Sequence, residues 1–519
     1  MATTDVAPAS PTPPAPPPVA PVLAPPPAAA PPPPAWTAPP PPPPMAPPPS
    51  GSPIELTTLE ILHDKGILSD AEYKSAIRDL SETAGTHAPH EGTVVMGKWA
   101  TTLYGFVDID SIWDSTRSLN DLPGAPGIAR PQSAAGGLAG ENSRFQFGAR
   151  NSRIGFRMKA PEFGGGVRAS AQLEMDFLGT QLPVGNGQPY FGSEAAYFTN
   201  PTFRIRHMNF KLETPVVDIM MGQYWQLFGW QPLFQPNTVE LQGVPGELYA
   251  RTPQLRISKT VKAYPITLEL AIAAVRAVQR DNGFPDGEGG IRLSVDSWTG
   301  VQTIGQTGTQ ISPLSIAATG LVRRVSVNSF VAPKTTTELN VSALAVDAFV
   351  PVVPGTKENM QNSLSIHGEF TTGYGDADMF TGQTGGITFP SVGTPAATFN
   401  ADIDPGIVGY DAGGGLHGIQ WTTFLAGLQY YLPGCDGKAW ITGNYSHIQS
   451  ANIGDYAAVL GNGTKASIYK GYDWFDAMVF VRPVAPVLFG LEYANFNTLY
   501  VDQIHAINHR VQLSGFYVF

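Results

Sequence analysis

The sequence predicts an all-β fold: a transmembrane antiparallel β-barrel of about 16 strands, preceded by a proline-rich tail and a short helical hairpin. Three observations carry the prediction. From Lys98 to Phe519 apolar residues recur with a period of two, the signature of strands with one greasy face. The alternating segments reach about ten residues, the length of a membrane-crossing strand, where a soluble sandwich strand usually holds five or six. Only 14% of residues are charged, against roughly 25% in a soluble protein, yet no apolar run is long enough for a transmembrane helix.

The elements follow in chain order. Residues 1–52 are proline and alanine with almost no charge, and runs such as Pro40–Pro44 favour polyproline II, so this stretch reads as a disordered linker or a semi-rigid spacer. Residues 53–90 change character. Ser52-Pro53-Ile54-Glu55 is a capping box with proline at the first helical position, and Leu56, Leu59 and Leu62 recur on one face. Gly66 stops that helix, and Ser69-Asp70-Ala71-Glu72 caps a second one carrying Tyr73, Ile77 and Leu80. A hairpin this small does not stand alone, so it is expected to pack on copies of itself or on a partner, as a trimerisation or periplasmic segment.

Residues 98–519 are the barrel. In one segment Val167, Ala169, Ala171, Leu173, Met175 and Phe177 share a face, with Arg168, Ser170, Gln172, Glu174 and Asp176 on the other. Fifteen segments of this kind lie near 101–114, 147–159, 167–177, 203–213, 216–225, 254–260, 266–278, 313–326, 337–350, 362–373, 419–432, 439–447, 472–482, 487–498 and 506–519. The short connections 160–166, 214–215, 261–265, 433–438 and 483–486 should share one side. That alternation fails unless Gly290–Asp296 forms a further, weaker strand, which makes sixteen and brings both barrel ends to the periplasmic side. A barrel of this size is too wide for its own side chains to fill, so the polar face is expected to look into water and the apolar face into lipid. Tyr104, Trp113, Trp421, Trp440, Tyr493 and Tyr517 are expected in the aromatic girdles.

Composition narrows the function. The net charge of −11 argues against nucleic acid as a partner. His-Glu-x-x-His, Gly-x-Ser-x-Gly and a phosphate-binding glycine loop are absent from the sequence, so no enzyme activity, metal or cofactor is expected. His207, His367, His447 and His509 have no metal-ligand spacing. The single cysteine, Cys435, reads as an inert turn residue. The first thirty residues lack a basic n-region and a leucine-rich h-region. An export signal is therefore expected upstream, or else the numbering starts near the mature N-terminus.

Two passages carry a family resemblance. Met221-Gly222-Gln223-Tyr224-Trp225-Gln226-Leu227-Phe228-Gly229-Trp230 precedes Phe234-Gln235-Pro236-Asn237-Thr238-Val239-Glu240, and Arg251-Thr252-Pro253-Gln254-Leu255-Arg256 follows later. The run resembles the trimeric DcaP-like porins of the bacterial outer membrane, where such a strand leads into a loop folded into the lumen. Leu103–Asp108 and Asn151–Phe156 are similar to general porin strands. Tyr517 and Phe519 look like the signal read by the outer-membrane assembly machinery. The resemblance covers 98–519. It implies a homotrimer in outer-membrane lipid, with an N-terminal helical segment that would suit 54–83. The proline tail departs from the pattern.

From these follow the expected function and sites. The chain is expected to let small hydrophilic solutes diffuse passively, with a leaning toward small anions such as dicarboxylates, which the resemblance implies. The alternative is a structural tether between barrel and cell wall. The third loop, about 226–253, should form the constriction with Glu240, Glu247 and Arg251. Arg153, Arg157, Lys159, Arg168, Arg204, Arg206 and Arg256 should line the pore, and rings of arginine favour anions. Glu174, Asp176, Asp108, Asp110, Glu269 and Glu369 share the inward parity, so the arginines either set selectivity or pair with these acids as ladders that stiffen the wall.

Overall fold

The computed structural model describes residues 93–96, 99–121, 127–130, 139–179, 202–240, 243–279, 282–305, 308–328, 336–380, 406–411, 415–457 and 468–519. The expectations for 1–52 and 53–90 lie outside the described residues. Everything below concerns the unit His87–Phe519.

The strands are β1 (Thr93–Met96), β2 (Trp99–Asp114), β3 (Arg144–Gly148), β4 (Arg153–Lys159), β5 (Arg168–Gly179), β6 (Thr202–Glu213) and β7 (Asp218–Trp225). There follow β8 (Arg251–Ala263), β9 (Ile266–Val275), β10 (Asp286–Ile304), β11 (Gly308–Asn328), β12 (Thr336–Val353) and β13 (Leu364–Tyr374). The series ends with β14 (Val408–Tyr410), β15 (Leu416–Gly418), β16 (Gln420–Tyr431), β17 (Ala439–Ser450), β18 (Tyr469–Val484), β19 (Val487–Tyr500) and β20 (His505–Val518).

All but β14 and β15 belong to one antiparallel sheet that closes on itself. Two of its strands do not count separately. β1 is a short appendage paired to the first residues of β2, and β3 and β4 are halves of one strand interrupted at 149–152. Sixteen wall strands remain. Closure runs from Phe106↔Val518 to Asp114↔Arg510. Gly105 and Phe519 then exchange backbone hydrogen bonds of 2.9 and 3.0 Å. Gly105 is required there by close approach, since a Cβ would lie 2.2 Å from the Arg153 carbonyl oxygen. β2 overhangs the end of β20, and β1 pairs with the overhang.

Connection lengths alternate as the sequence predicts. Short turns at 160–167, 214–217, 264–265, 305–307, 354–363, 432–438 and 485–486 share one end with both barrel termini. The long connections 115–143, 180–201, 226–250, 375–419 and 451–468 share the other. The strand expected at Gly290–Asp296 is present, and two details differ. It lies inside β10, among the longest strands and paired on both edges, where a weaker strand was expected. The turn expected at 261–265 shrinks to Tyr264-Pro265, because β8 continues to Ala263.

Burial follows the strand period, inverted relative to a soluble protein. Gln512 and Ser514 are buried while Leu513 is 49% exposed, and next door Glu492 is buried while its neighbour Leu491 is 47% exposed. Exposed Phe145, Phe203, Ile257, Ile272, Ile316, Leu344 and Phe424 continue that apolar belt around the ring. Of the residues expected in the girdles, Trp113, Tyr493 and Tyr517 face outward, and the other three do not. Trp421 and Trp440 are fully buried inside, and Tyr104 bonds Glu174 and Gln172 across the inner wall. The reason is the polar handle of each ring. Both tryptophan N–H groups hold in-folded connections, Trp421 to the Gly406 carbonyl at 3.1 Å and Trp440 to Asn237 Oδ1 at 2.8 Å.

The lipid-facing assignment has a direct test. Leu513→Arg is expected to lower stability by roughly 2–4 kcal/mol for a charge near the bilayer midplane. Gln512→Asn, on the other face, is expected to change it far less. Urea titration of the barrel refolded in lipid vesicles measures both.

Candidate functional site

The chain between β7 and β8, 226–250, turns into the lumen. Phe228–Trp230 forms one 3-10 turn, and Gly229 takes φ +77°, where a Cβ would strike Leu248 at 2.5 Å. A segment lying across the lumen leaves its backbone amides without a ladder, so the wall must supply acceptors. Three carboxylates do so. Glu288 of β10 accepts from the amides of Leu227 (2.8 Å) and Phe228 (3.1 Å). Glu492 of β19 accepts from Val239 (2.8 Å) and Glu240 (3.2 Å). Glu369 of β13 accepts from Leu248 (3.0 Å). Thr319 takes the Gly229 amide at 2.8 Å, and Gln302 donates to the Leu233 carbonyl at 2.8 Å. The connection is thus tethered at both ends and in the middle.

Between it and the wall lies a cavity of about 390 Å³. Tyr104, Arg153, Arg157, Glu174, Arg206 and His207 line it from the β2, β4, β5 and β6 wall. Pro232, Gln235, Thr238, Glu240, Glu247 and Tyr249 line it from the connection. A bulge explains the density of charge. Glu174 pairs with His207 but Met175 pairs with Ile205, so Arg206 is an extra residue and faces inward together with His207.

The wall side is a ladder with an excess of cations. Arg206 reaches Glu174 at 2.7 Å and Asp176 at 3.3 Å. Arg204 holds Asp176 bidentately at 2.6 and 3.0 Å. Arg153 stands 3.6 Å from Glu174, and Arg157 stacks 4.0 Å above the Tyr104 ring. Arg251 sits over Trp225 (4.7 Å) and Tyr249 (5.1 Å). Burial would raise the Tyr249 phenol, but the surrounding Arg206, Arg251 and Arg153 hold it below its ordinary value. Burial pushes the Glu247 carboxyl well up, the Val244 amide opposes this, and nearby Glu369 adds to it.

The sequence-predicted residues therefore separate into groups. Arg153, Arg157, Arg206, Glu240 and Glu247 share the cavity, with Arg251 and Arg204 directly behind it. Arg256 faces inward but spends its donors on the Trp225 carbonyl (2.6 Å) and Gln254 (3.0 Å), tying two strands. Lys159 and Arg168 stand apart, exposed at the turn end. Arg168 pairs with Glu213 at 3.0 Å and lines a second cavity of about 470 Å³. Tyr517 faces outward, and Phe519 lines the first cavity beside Gly105. Sequence reasoning missed the anchoring role of Glu288, Glu369 and Glu492. Inward parity marked Glu369, but nothing local tells an anchor from a ladder acid.

A closed sixteen-strand barrel, greasy outside and charged inside, with a connection folded across its lumen, is the fold of the outer-membrane porins, which places the chain among bacterial outer-membrane barrels. Among solved structures it resembles the outer-membrane channel DcaP of Acinetobacter baumannii, with a TM-score of 0.56 and 16% identity over 82% of this chain and 99% of that one. At that identity the likeness is one of fold. The anion-selective porin of Comamonas acidovorans matches with a TM-score of 0.43 and 12% identity, over 81% of this chain and 100% of that one. Salmonella typhi OmpF in complex with daunomycin matches with a TM-score of 0.44 and 10% identity, over 82% and 100%. These last two overlaps are too loose to carry an argument. No protein-family model and no curated protein matches the chain.

The anchoring of the connection predicts a mutational effect. Glu492→Leu leaves two buried amides without an acceptor, at about 1–3 kcal/mol each. Glu492→Gln keeps an acceptor oxygen and is expected to lose much less. Chemical unfolding of the two variants, with hydrogen exchange at Val239 and Glu240, measures the difference.

Proposed function

We propose that the chain is a passive pore for small hydrophilic solutes, that it favours small anions such as dicarboxylates, and that it works as a homotrimer. The observation that carries the reading is the cavity of about 390 Å³ between the in-folded connection and the arginine wall. Glu174 and Asp176 take up Arg204 and Arg206 and fix the wall, so the ladder and selectivity readings are complementary. Arg153, Arg157 and Arg251 exceed those acids, and Arg153 and Arg157 line the cavity. The field of this excess suits a carboxylate or another oxyanion passing through and raises its local concentration.

Glu240 and Glu247 face that wall from the connection, so a dipolar solute is oriented as it crosses. The homotrimer is drawn from the resemblance and from the expected self-packing of residues 53–90. Recognition of Tyr517 and Phe519 by the assembly machinery belongs to the same proposal.

Stepwise ohmic conductance in a planar bilayer is expected of the purified protein, with a reversal potential of anionic sign in a salt gradient. Arg157→Glu should move that potential toward cations. A persistently silent membrane would overturn the pore. Removing residues 1–90 is expected to leave conductance intact while reducing the trimer to monomer by native mass. Loss of envelope integrity with conductance kept would favour the tether instead.

A further inference from the structure

The end of the β10–β11 hairpin leaves the wall. Up to Val295, β10 pairs with β9 on one edge and β11 on the other, and β11 pairs with β12 from Ser315 onward. The register slips between Val295 and Thr299. Beyond it the arms Thr299–Ile304 and Gly308–Pro313 pair with each other and, among the described residues, with neither β9 nor β12. A wall strand alternates between its two faces, but Gly300, Val301, Gln302 and Thr303 are buried in succession. Both faces of this arm are covered, so it has turned inward.

Its partners lie on the inner side. A Cβ on Gly300 would stand 2.4 Å from Pro351 Cβ, so the arm passes closely over the end of β12. Two strands further round the ring, β16 holds Thr303. The Thr303 amide donates to Gln429 Oε1 at 2.9 Å, its carbonyl accepts from Gln429 Nε2 at 2.5 Å, and its hydroxyl meets the Tyr431 phenol at 2.7 Å. Val301 joins a buried apolar cluster with Tyr431, Trp440 and Val239. The arm also holds the in-folded connection. Gln302 donates to the Leu233 carbonyl at 2.8 Å, the Gly305 amide donates to the Pro236 carbonyl at 3.3 Å, and Asn237 donates to the Gly305 carbonyl. Ile304, Gly305 and Gly308 line the first cavity together with Gly105 and Phe519, which belong to the closure seam on the far side of the ring.

We infer that this hairpin end is a second element of the constriction, a tongue that enters from the turn end, props connection 226–250 and limits the size of solute that can leave the cavity. This rests on the pore reading. The arginine wall sets the charge of what passes, and the tongue sets its bulk.

Two full-length variants test it, in planar bilayers and by liposome swelling with neutral sugars of graded size. Heat-modifiable mobility on gels checks that each has folded. In the first, Asn-Gly replaces residues 296–313. That two-residue turn suits the Val295↔Leu314 pair and leaves the β9–β10 and β11–β12 ladders whole. Conductance is expected to rise by roughly twofold or more, and a sugar that the parent excludes is expected to enter. The second is Gly305→Asp. Gly305 has φ +59°, which aspartate tolerates, and a Cβ there meets nothing within 4 Å. A carboxylate on a turn outside the pathway would leave selectivity alone. On the tongue it is expected to lower the anion-to-cation permeability ratio by roughly twofold or more.

A folded turn variant with the parent's conductance and size limit overturns the tongue and leaves the pore standing. So does Gly305→Asp with an unchanged permeability ratio, and that variant decides alone if the first does not fold. A silent parent whose turn variant conducts supports the tongue. If parent and both variants are silent in bilayers and in swelling alike, the pore reading falls and takes the tongue with it.

Discussion

The constraint on which everything else depends is that no strand edge can be left open inside a bilayer. Each unpaired amide in hydrocarbon costs several kcal/mol, so the last strand must find the first. The chain meets this with the β2–β20 ladder, ended by the reciprocal Gly105–Phe519 bonds. The unequal lengths of the two strands would still leave part of β2 bare, and β1 occupies that stretch. The interrupted β3/β4 strand shows the same economy within the wall. Where the ladder breaks, Ser152 Oγ takes the Asp108 amide at 2.9 Å, and Asn151 bonds Asp110 at 2.6 Å.

Closure creates a lumen wider than wall side chains can span, and the in-folded connections are the response to it. A segment crossing that space has the same problem as an open edge, because its amides need acceptors. The wall answers with Glu288, Glu369 and Glu492 on three separated strands. Their inward parity is fixed by the strand period, so the alternation that makes the barrel also positions the segment narrowing it. The interior is therefore only partly what a water-filled pore implies. A charged cavity lies beside the arginine wall, and buried apolar clusters occupy other parts of the inner side.

The barrel was legible because its signals are local. Alternation along β5, the short turns and the run of apolar outward residues each need only a dozen neighbouring residues to read. The strand at Gly290–Asp296 was recovered from topology, since an odd number of strands cannot return the chain to its starting side. The charged half of the site was legible for the same reason, because parity alone sends Arg153, Arg157 and Arg206 inward. Three things were not. His207 faces inward beside Arg206 because of a bulge, which breaks parity without a mark in the sequence. Trp421 and Trp440 read as girdle residues because a tryptophan near a strand end looks the same from either face. The buried apolar clusters depend on residues far apart in sequence meeting in space, which periodicity does not report.

The two kinds of charge in the lumen do different work, and that difference bears on selectivity under the pore reading. Glu288, Glu369 and Glu492 present their oxygens to backbone amides, whose dipoles offset part of their field and occupy lone pairs a passing cation would use. On the opposite wall, Glu174 and Asp176 are engaged by Arg204 and Arg206, which leaves the remaining guanidinium groups in excess. These five acids hold structure in place, while Arg153 and Arg157 line the cavity. A net charge of −11 does not by itself oppose the proposed anion preference, because what a solute meets is the charge along its path and not the total over the molecule.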